Sequence, residues 1–307
     1  MADQDQLQRF LFENTSIRGE YVHLDSTFQA ALARHDYPPV VSNVLGQAMA
    51  AAVLLGATIK FEGSLIFQLQ GKGPVSLLVV QLFSNGSLRG LANWNDNDLP
   101  DTDHLATLFG EGHLVITIEA KPARGSARES MRSERYQGIV ALGNGNIAEA
   151  LEGYFIQSEQ LKTRLWLTVS DNRAAGLLIQ AMPGSRKNSS SDIDEEHWNR
   201  ISHLSDTITP EEMIDLPFRK LLYRLFHEED VRVFESEIIN FRCSCTRERI
   251  ENLLRGIGQE EVRSILEEQG GIEVDCEYCK QHYSFDAIDA ESIFLKEVSQ
   301  DVPRTKH

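Results

Sequence analysis

Period-two alternation of apolar and polar positions marks most of the first 180 residues. Arg18–Asp25 reads as a strand, and Ser26 is placed to cap a helix running to Arg34. After Pro38-Pro39, Val41–Ile59 is rich in alanine and leucine and apolar nearly all round, the pattern of a helix that runs through a core. Its longest apolar run, Ala48–Ile59, is too short to span a bilayer and reads as buried helix. Ser64–Gln70 and Val75–Phe83 carry strand signals. Asn85-Gly86 then supplies a hairpin turn before Leu88–Trp94, because both residues accept positive φ at little cost. His113–Ala120, Arg135–Leu142 and Leu161–Ser170 alternate as further strands. In the last, Leu165, Leu167 and Val169 share one face, opposite Trp166 and Thr168. Ile147–Gln160 reads as a helix and Ala174–Met182 as the closing strand. These elements predict an α+β core over residues 1–182, a mixed sheet with a few long helices and no internal repeat.

After Pro183-Gly184 the pattern breaks. SRKNSSSDIDEEHW is polar and serine-rich with little to bury, which predicts a linker. From Pro217 to Glu228, Phe218, Leu221, Leu222, Leu225 and Phe226 recur at helical spacing and make a wide apolar stripe, and Val231 and Val233 continue as a short strand. Residues 183–235 are therefore expected to be a linker carrying one amphipathic helix, and 236–307 a small separate domain. In that domain Ile250, Leu253, Leu254 and Ile257 form one helical face, ended by Gly256 or Gly258. Val262, Ile265 and Leu266 form another, ended by Gly270-Gly271. Ile272, Val274, Tyr283 and Phe285 complete an apolar set too small to hold a fold without a staple.

The cysteines supply the staple. All four in the chain lie here, as Cys243-x-Cys245 and Cys276-x-x-Cys279 with thirty residues between the pairs. Two short-spaced pairs can deliver four soft donors to a tetrahedral Zn²⁺ at ~2.3 Å each, whereas scattered buried thiols would not pair this way. His282, three residues after Cys279, could substitute as a ligand, but four thiolates already complete the set. Were each pair to close locally, a Cys243–Cys245 bridge would span ~6.6 Å of extended chain, near the upper limit for a disulfide. Such a strained bridge belongs to labile, regulatory sites, so the spacing points to a switch. Thiolates that hold zinc imply a compartment that is reducing at rest. Because the apolar stripe of 218–226 lies between a linker and this module, its packing is expected to depend on the metal.

Composition narrows the rest. With 41% apolar and 25% charged residues the chain is of the ordinary soluble class. A net charge of −16 argues against a nucleic-acid partner, and between Cys243 and Cys279 four arginines face nine carboxylates. MADQDQLQRF lacks the basic and apolar regions of a signal peptide, so the cytoplasm, with no membrane partner, is expected. No P-loop, dinucleotide fingerprint, Gly-x-Ser-x-Gly or His-Glu-x-x-His occurs, and Gly71-Lys72-Gly73 reads as a turn. Lys121–Arg135 carries five basic residues between two strands and is expected to be a surface loop.

CSCTRERIENLL, VDCEYCKQHYSFDA, LLYRLFHEEDVRVFE, YFIQSEQLKTRL and GLLIQAMPG together resemble the heat shock protein 33 family of redox-regulated chaperonins, over nearly the entire chain. The resemblance implies an ATP-independent holdase rather than an enzyme. It would be inactive while reduced, with one Zn²⁺ on Cys243, Cys245, Cys276 and Cys279. Oxidation would form Cys243–Cys245 and Cys276–Cys279 disulfides, release zinc and unfold the linker to expose a client-binding surface. Phe218, Leu221, Leu222, Leu225 and Phe226 are the candidate client-binding residues, with unfolded proteins as partners and a homodimer as the oxidised form. The loop 121–135 is longer than the usual family pattern. Two other classes compete: a thiol-disulfide oxidoreductase using the Cys-x-x-Cys pair, and a constitutive zinc-binding interaction module.

Overall fold

The computed structural model describes residues 5–95, 99–120, 135–182 and 191–298. Two compact units divide it, Met1–Arg242 and Cys243–His307.

In the first unit, β1 (Gln6–Phe12) and β2 (Ile17–Leu24) lead into α1 (Ser26–Leu32) and the long α2 (Pro39–Thr58). A meander of β3 (Gly63–Gln70), β4 (Val75–Phe83) and β5 (Ser87–Trp94) follows, then α3 (Leu105–Phe109), β6 (His113–Ala120) and β7 (Arg135–Ala141). Next come α4 (Ile147–Tyr154), extended by a π-helical turn at Phe155–Glu159, and the hairpin of β8 (Thr163–Ser170) and β9 (Arg173–Ala181). Helices α5 (Ser191–Ser205), α6 (Pro210–Asp215) and α7 (Phe218–Phe226) precede the short strands β10 (Val231–Val233), β11 (Glu237–Ile238) and β12 (Asn240–Phe241).

The strands make two sheets. The first runs β10-β1-β2-β9-β8, with β11 also on β1; the second runs β12-β5-β4-β3-β6-β7. All pairings are antiparallel except β12 with β5. Helix α2 packs against strands of both sheets, which is why it is apolar on every side. The apolar run Ala48–Ile59 lies at the C-terminal end of this helix, buried through Gly56 as its pattern predicts. The full helix has the length and composition to cross a bilayer, yet 78% of its most apolar window is buried inside the protein.

The first sheet has apolar side chains on both faces. On β9, Ala174 and Leu178 join the core around α2, while Ala175, Leu177 and Ile179 face the other way. On β8, Leu165, Leu167 and Val169 pack toward α2 and Trp166 toward the opposite face, as the alternation predicts. That second face is covered by α5, α6 and α7. Residues 191–198, read as part of a polar linker, lie inside α5, where Trp198, Ile201 and Leu204 reach the sheet at every third residue.

Ser26 does not cap α1. The N-cap is Asp25, and the Asp5 carboxylate accepts the backbone N–H groups of Asp25 and, at 3.0 Å, Thr27. A cap supplied from twenty residues upstream leaves no local signature. The glycines of Gly71-Lys72-Gly73 form the predicted turn, and a Cβ at Gly71 would fall 2.0 Å from Phe109 O. Lys121–Arg135 lies outside the described residues up to 134, and Arg135 opens β7.

The second unit contains α8 (Arg247–Ile257), α9 (Gln259–Gln269), the hairpin β13 (Ile272–Asp275) and β14 (His282–Phe285), and α10 (Ala287–Val298). Ile250, Leu254, Val262, Ile272, Phe285, Ala290 and Ile293 are its buried apolar side chains. Leu253 and Ile257, read as core, are 61% and 53% exposed, because only the i,i+4 pair Ile250 and Leu254 faces so narrow a core.

Candidate metal centre

Each cysteine pair sits where the chain must turn. Cys243 and Cys245 precede α8, whose first turn is fixed by Thr246, the side-chain oxygen accepting the Arg249 N–H at 3.2 Å. Arg249 Nη1 donates to Ser244 Oγ at 2.9 Å, between the two thiols. Arg247 ties this segment to the rest of the unit. Its guanidinium lies 4.2 Å from the Phe285 ring centre, donates to Ser284 O at 2.9 Å and pairs with Asp289 at 2.7 Å. Cys276 and Cys279 occupy the turn of the β13–β14 hairpin. The Lys280 N–H donates to Cys276 O at 2.7 Å and the Cys276 N–H to Gln281 O at 3.0 Å, with Lys280 left-handed at φ 57°.

The two turns bring all four sulfurs together. Every Sγ lies within 4.8 Å of the others, with Cys243 to Cys276 at 3.6 Å and Cys245 to Cys279 at 3.3 Å. A tetrahedron of ~2.3 Å zinc–sulfur bonds has edges of about 3.8 Å, so the donor set fits that metal in number, softness and spacing. None of the four is in a disulfide; Cys276 is buried and the others are half-buried. Burial pushes the Cys276 and Cys279 thiols up, against the pull of backbone N–H groups at Tyr278, Cys279 and Gln281. The Tyr283 hydroxyl, hydrogen-bonded at Cys245, is pushed up to about 12. Four crowded thiols resist ionising next to one another, and a bound dication reverses that preference. His282 does not join the cluster: its Nδ1 lies 2.8 Å from Asp275 Oδ1.

The Hsp33 protein profile matches residues 5–286. The chain belongs to the Hsp33 family. It is 49% identical over 307 residues to a 33 kDa chaperonin of Nitrosococcus oceani, covering 100% of both chains. A 33 kDa chaperonin of Methylobacillus flagellatus is 44% identical, covering 97% of each. The crystal structure of the Thermotoga maritima Hsp33 homologue superposes with a TM-score of 0.77 over 96% of this chain and 100% of its own, at 22% identity, and so shares the fold.

Within this family member the apolar stripe belongs to the first unit. Phe218, Leu221, Leu225 and Phe226 are buried and Leu222 is partly buried, all packed on the outer face of the first sheet. Their partners are Phe10, Phe12, Ile17 and Tyr21, with Phe226 set edge-on to Phe12 at 4.9 Å between ring centres. Phe10 and Phe12, missed by the strand pattern drawn from Arg18 onward, share one face of β1 through their period-two spacing. The ring of Phe10 lies over Gly19, its cross-strand partner, where a Cβ would fall 2.1 Å from Cζ.

Proposed function

We propose that the protein is a redox-regulated, ATP-independent chaperone, a holdase rather than an enzyme, that binds unfolding proteins and prevents their aggregation under oxidative stress. In the reduced state Cys243, Cys245, Cys276 and Cys279 hold one Zn²⁺ and the protein is inactive. The observation that carries the reading is the convergence of four sulfurs within 4.8 Å in a unit whose apolar cluster has, among the described residues, seven buried side chains. When bound, zinc supplies cross-links that so small a core cannot replace, a contribution of ~10 kcal/mol or more in comparable modules.

Oxidation removes the donors. The thiolates of Cys243 with Cys245, and of Cys276 with Cys279, each give up two electrons as a pair and form one S–S bond, hypochlorous acid being reduced to chloride and hydroxide or peroxide to two hydroxides, and a disulfide sulfur no longer holds the metal. The linker of 183–235 then unfolds, and its described part, residues 191–235, leaves the first sheet. Two complementary surfaces become available to clients: the stripe of Phe218, Leu221, Leu222, Leu225 and Phe226, and the sheet face of Phe10, Phe12 and Tyr21. Binding rests on burial of apolar area, at ~25 cal/mol per Å², and needs no sequence recognition. The active form is a homodimer, the compartment is the cytoplasm, and neither nucleic acid nor membrane is a partner.

The test is suppression of light scattering from a heat-unfolding protein by reduced, zinc-loaded chain and by chain treated with hypochlorous acid. Holding by the oxidised form alone supports the proposal, and equal holding by both refutes redox control. A constitutive zinc module would instead lose function on oxidation. An oxidoreductase would turn over a disulfide substrate, but here the Cys-x-x-Cys pair lies in a β-hairpin turn rather than at a helix N-terminus.

A further inference from the structure

At the C-terminal end of α2, between the two sheets of the first unit, lies a cavity of about 380 Å³. Arg9, Arg18 and Lys60 line it together with the single carboxylate of Glu237, a local cationic excess in a chain of net charge −16. Val53, Leu82 and Ile239 supply apolar wall.

The cations are only partly used. Arg9 pairs with Glu237. Arg18 Nη2 donates to Gln180 Oε1 at 2.5 Å and to Thr58 O at 3.3 Å, closing the last turn of α2. Helix capping therefore accounts for that nitrogen. It leaves Arg18 Nε buried without a hydrogen bond, and among the described residues Arg18 Nη1 and Lys60 Nζ have no partner. Behind Arg18, at 3.5 Å, stands Glu20, 1% exposed. Burial pushes its carboxyl up to about 7, so it does not fully neutralise the guanidinium in front of it. A guanidinium and an ammonium beside a small apolar wall match an oxyanion carried on a compact apolar body. The volume is at the lower end of the range for small-molecule sites.

We propose that this cavity binds a small organic oxyanion, a phosphate or carboxylate group held by Arg18 and Lys60 with its apolar body against Val53, Leu82 and Ile239. The site lies in the first unit, but Glu237 and Ile239 directly follow the linker proposed to unfold on oxidation, so the proposal is made for the reduced, zinc-loaded form.

The test is calorimetric titration of the reduced, zinc-loaded chain with phenyl phosphate, benzoate and inorganic phosphate. One saturable site is expected for at least one aromatic probe, which binds at least about tenfold more tightly than inorganic phosphate. The tighter of phenyl phosphate and benzoate identifies the head group. K60E, at an exposed position, and R18K, which keeps the charge but loses the fork, each weaken that probe about fivefold or more while far-UV ellipticity stays unchanged. Absence of saturable binding, inorganic phosphate binding as tightly as the aromatic probes, or affinity that K60E leaves unchanged overturns the proposal.

Discussion

The ring of Phe218 stacks on that of Tyr21, with centres 5.3 Å apart and planes inclined by 24°. One belongs to the segment proposed to unfold and the other to the sheet it covers. Around them the sheet also holds the backbone of α6. Tyr21 donates its hydroxyl to Met213 O at 2.7 Å, His23 Nε2 lies 3.2 Å from Ile214 O, and Arg173 pairs with Asp215 at 3.0 Å. Lys162 pairs with Glu195 and Arg164 with Asp206 at 2.8 Å, so the attachment of α5–α7 is an apolar seam with polar fastenings along its border.

Replacing Leu221 and Leu225 together with serine attacks that seam. Each is nearly fully buried, and truncation at such positions costs roughly 2–5 kcal/mol. The variant is expected to show protease cleavage within 191–226 and holding activity even when reduced. Unchanged cleavage and unchanged activation would remove this face from the account.

Thr246 caps α8 with its side chain, and T246A should cost about 1 kcal/mol. Because that helix begins two residues after Cys245, zinc transfer to a chelator is expected to speed up about fivefold, read as the rate of colour development. An unchanged rate would show that the cap and the metal site are uncoupled.

Acid should strip the metal. Burial raises the Cys276 and Cys279 thiols, so they are protonated at neutral pH without a metal and each proton must leave on binding. Zinc affinity is therefore expected to fall by more than about tenfold per pH unit as pH drops, and helical ellipticity from α8–α10 to fall with it. Competition titrations at pH 6, 7 and 8 check the slope; a flat profile contradicts thiolate ligation.

Glu20 gives the first unit a pH dependence of the opposite sense. Its folded pKa, about 7, lies above the ordinary 4.5, so its contribution is fully favourable below the unfolded value and is lost as pH rises through 7. E20Q should flatten stability between pH 4.5 and 7 and raise it at pH 8 by on the order of 1–3 kcal/mol. Urea unfolding followed by tryptophan fluorescence reports this cleanly, since Trp94, Trp166 and Trp198 all lie in the first unit. Equal slopes for both proteins would show that burial does not raise Glu20.

The convergence of the cysteines was legible because their spacing is written locally: Cys243, Cys245, Cys276 and Cys279 need only two turns to meet. The strands β3 to β6 were equally plain, β4 by its alternation and β5 by the Asn85-Gly86 turn in front of it. What escaped was long-range. β1 is only seven residues, and its Phe10 and Phe12 acquire meaning only opposite Phe218 and Phe226, two hundred positions away. Helix α5 was masked by its polar composition, because a helix anchored by Trp198, Ile201 and Leu204 needs few apolar residues. The α1 cap at Asp5 and the exposed Leu253 and Ile257 likewise depend on neighbours that no local pattern names.

The most direct measurement follows zinc transfer to a chromogenic chelator and light scattering of a heat-unfolding protein in one time course after addition of hypochlorous acid. Release of one zinc per chain, preceding or accompanying the onset of holding, is the predicted result. Holding that develops while the zinc remains bound, or reduced protein that contains no zinc, would contradict the account.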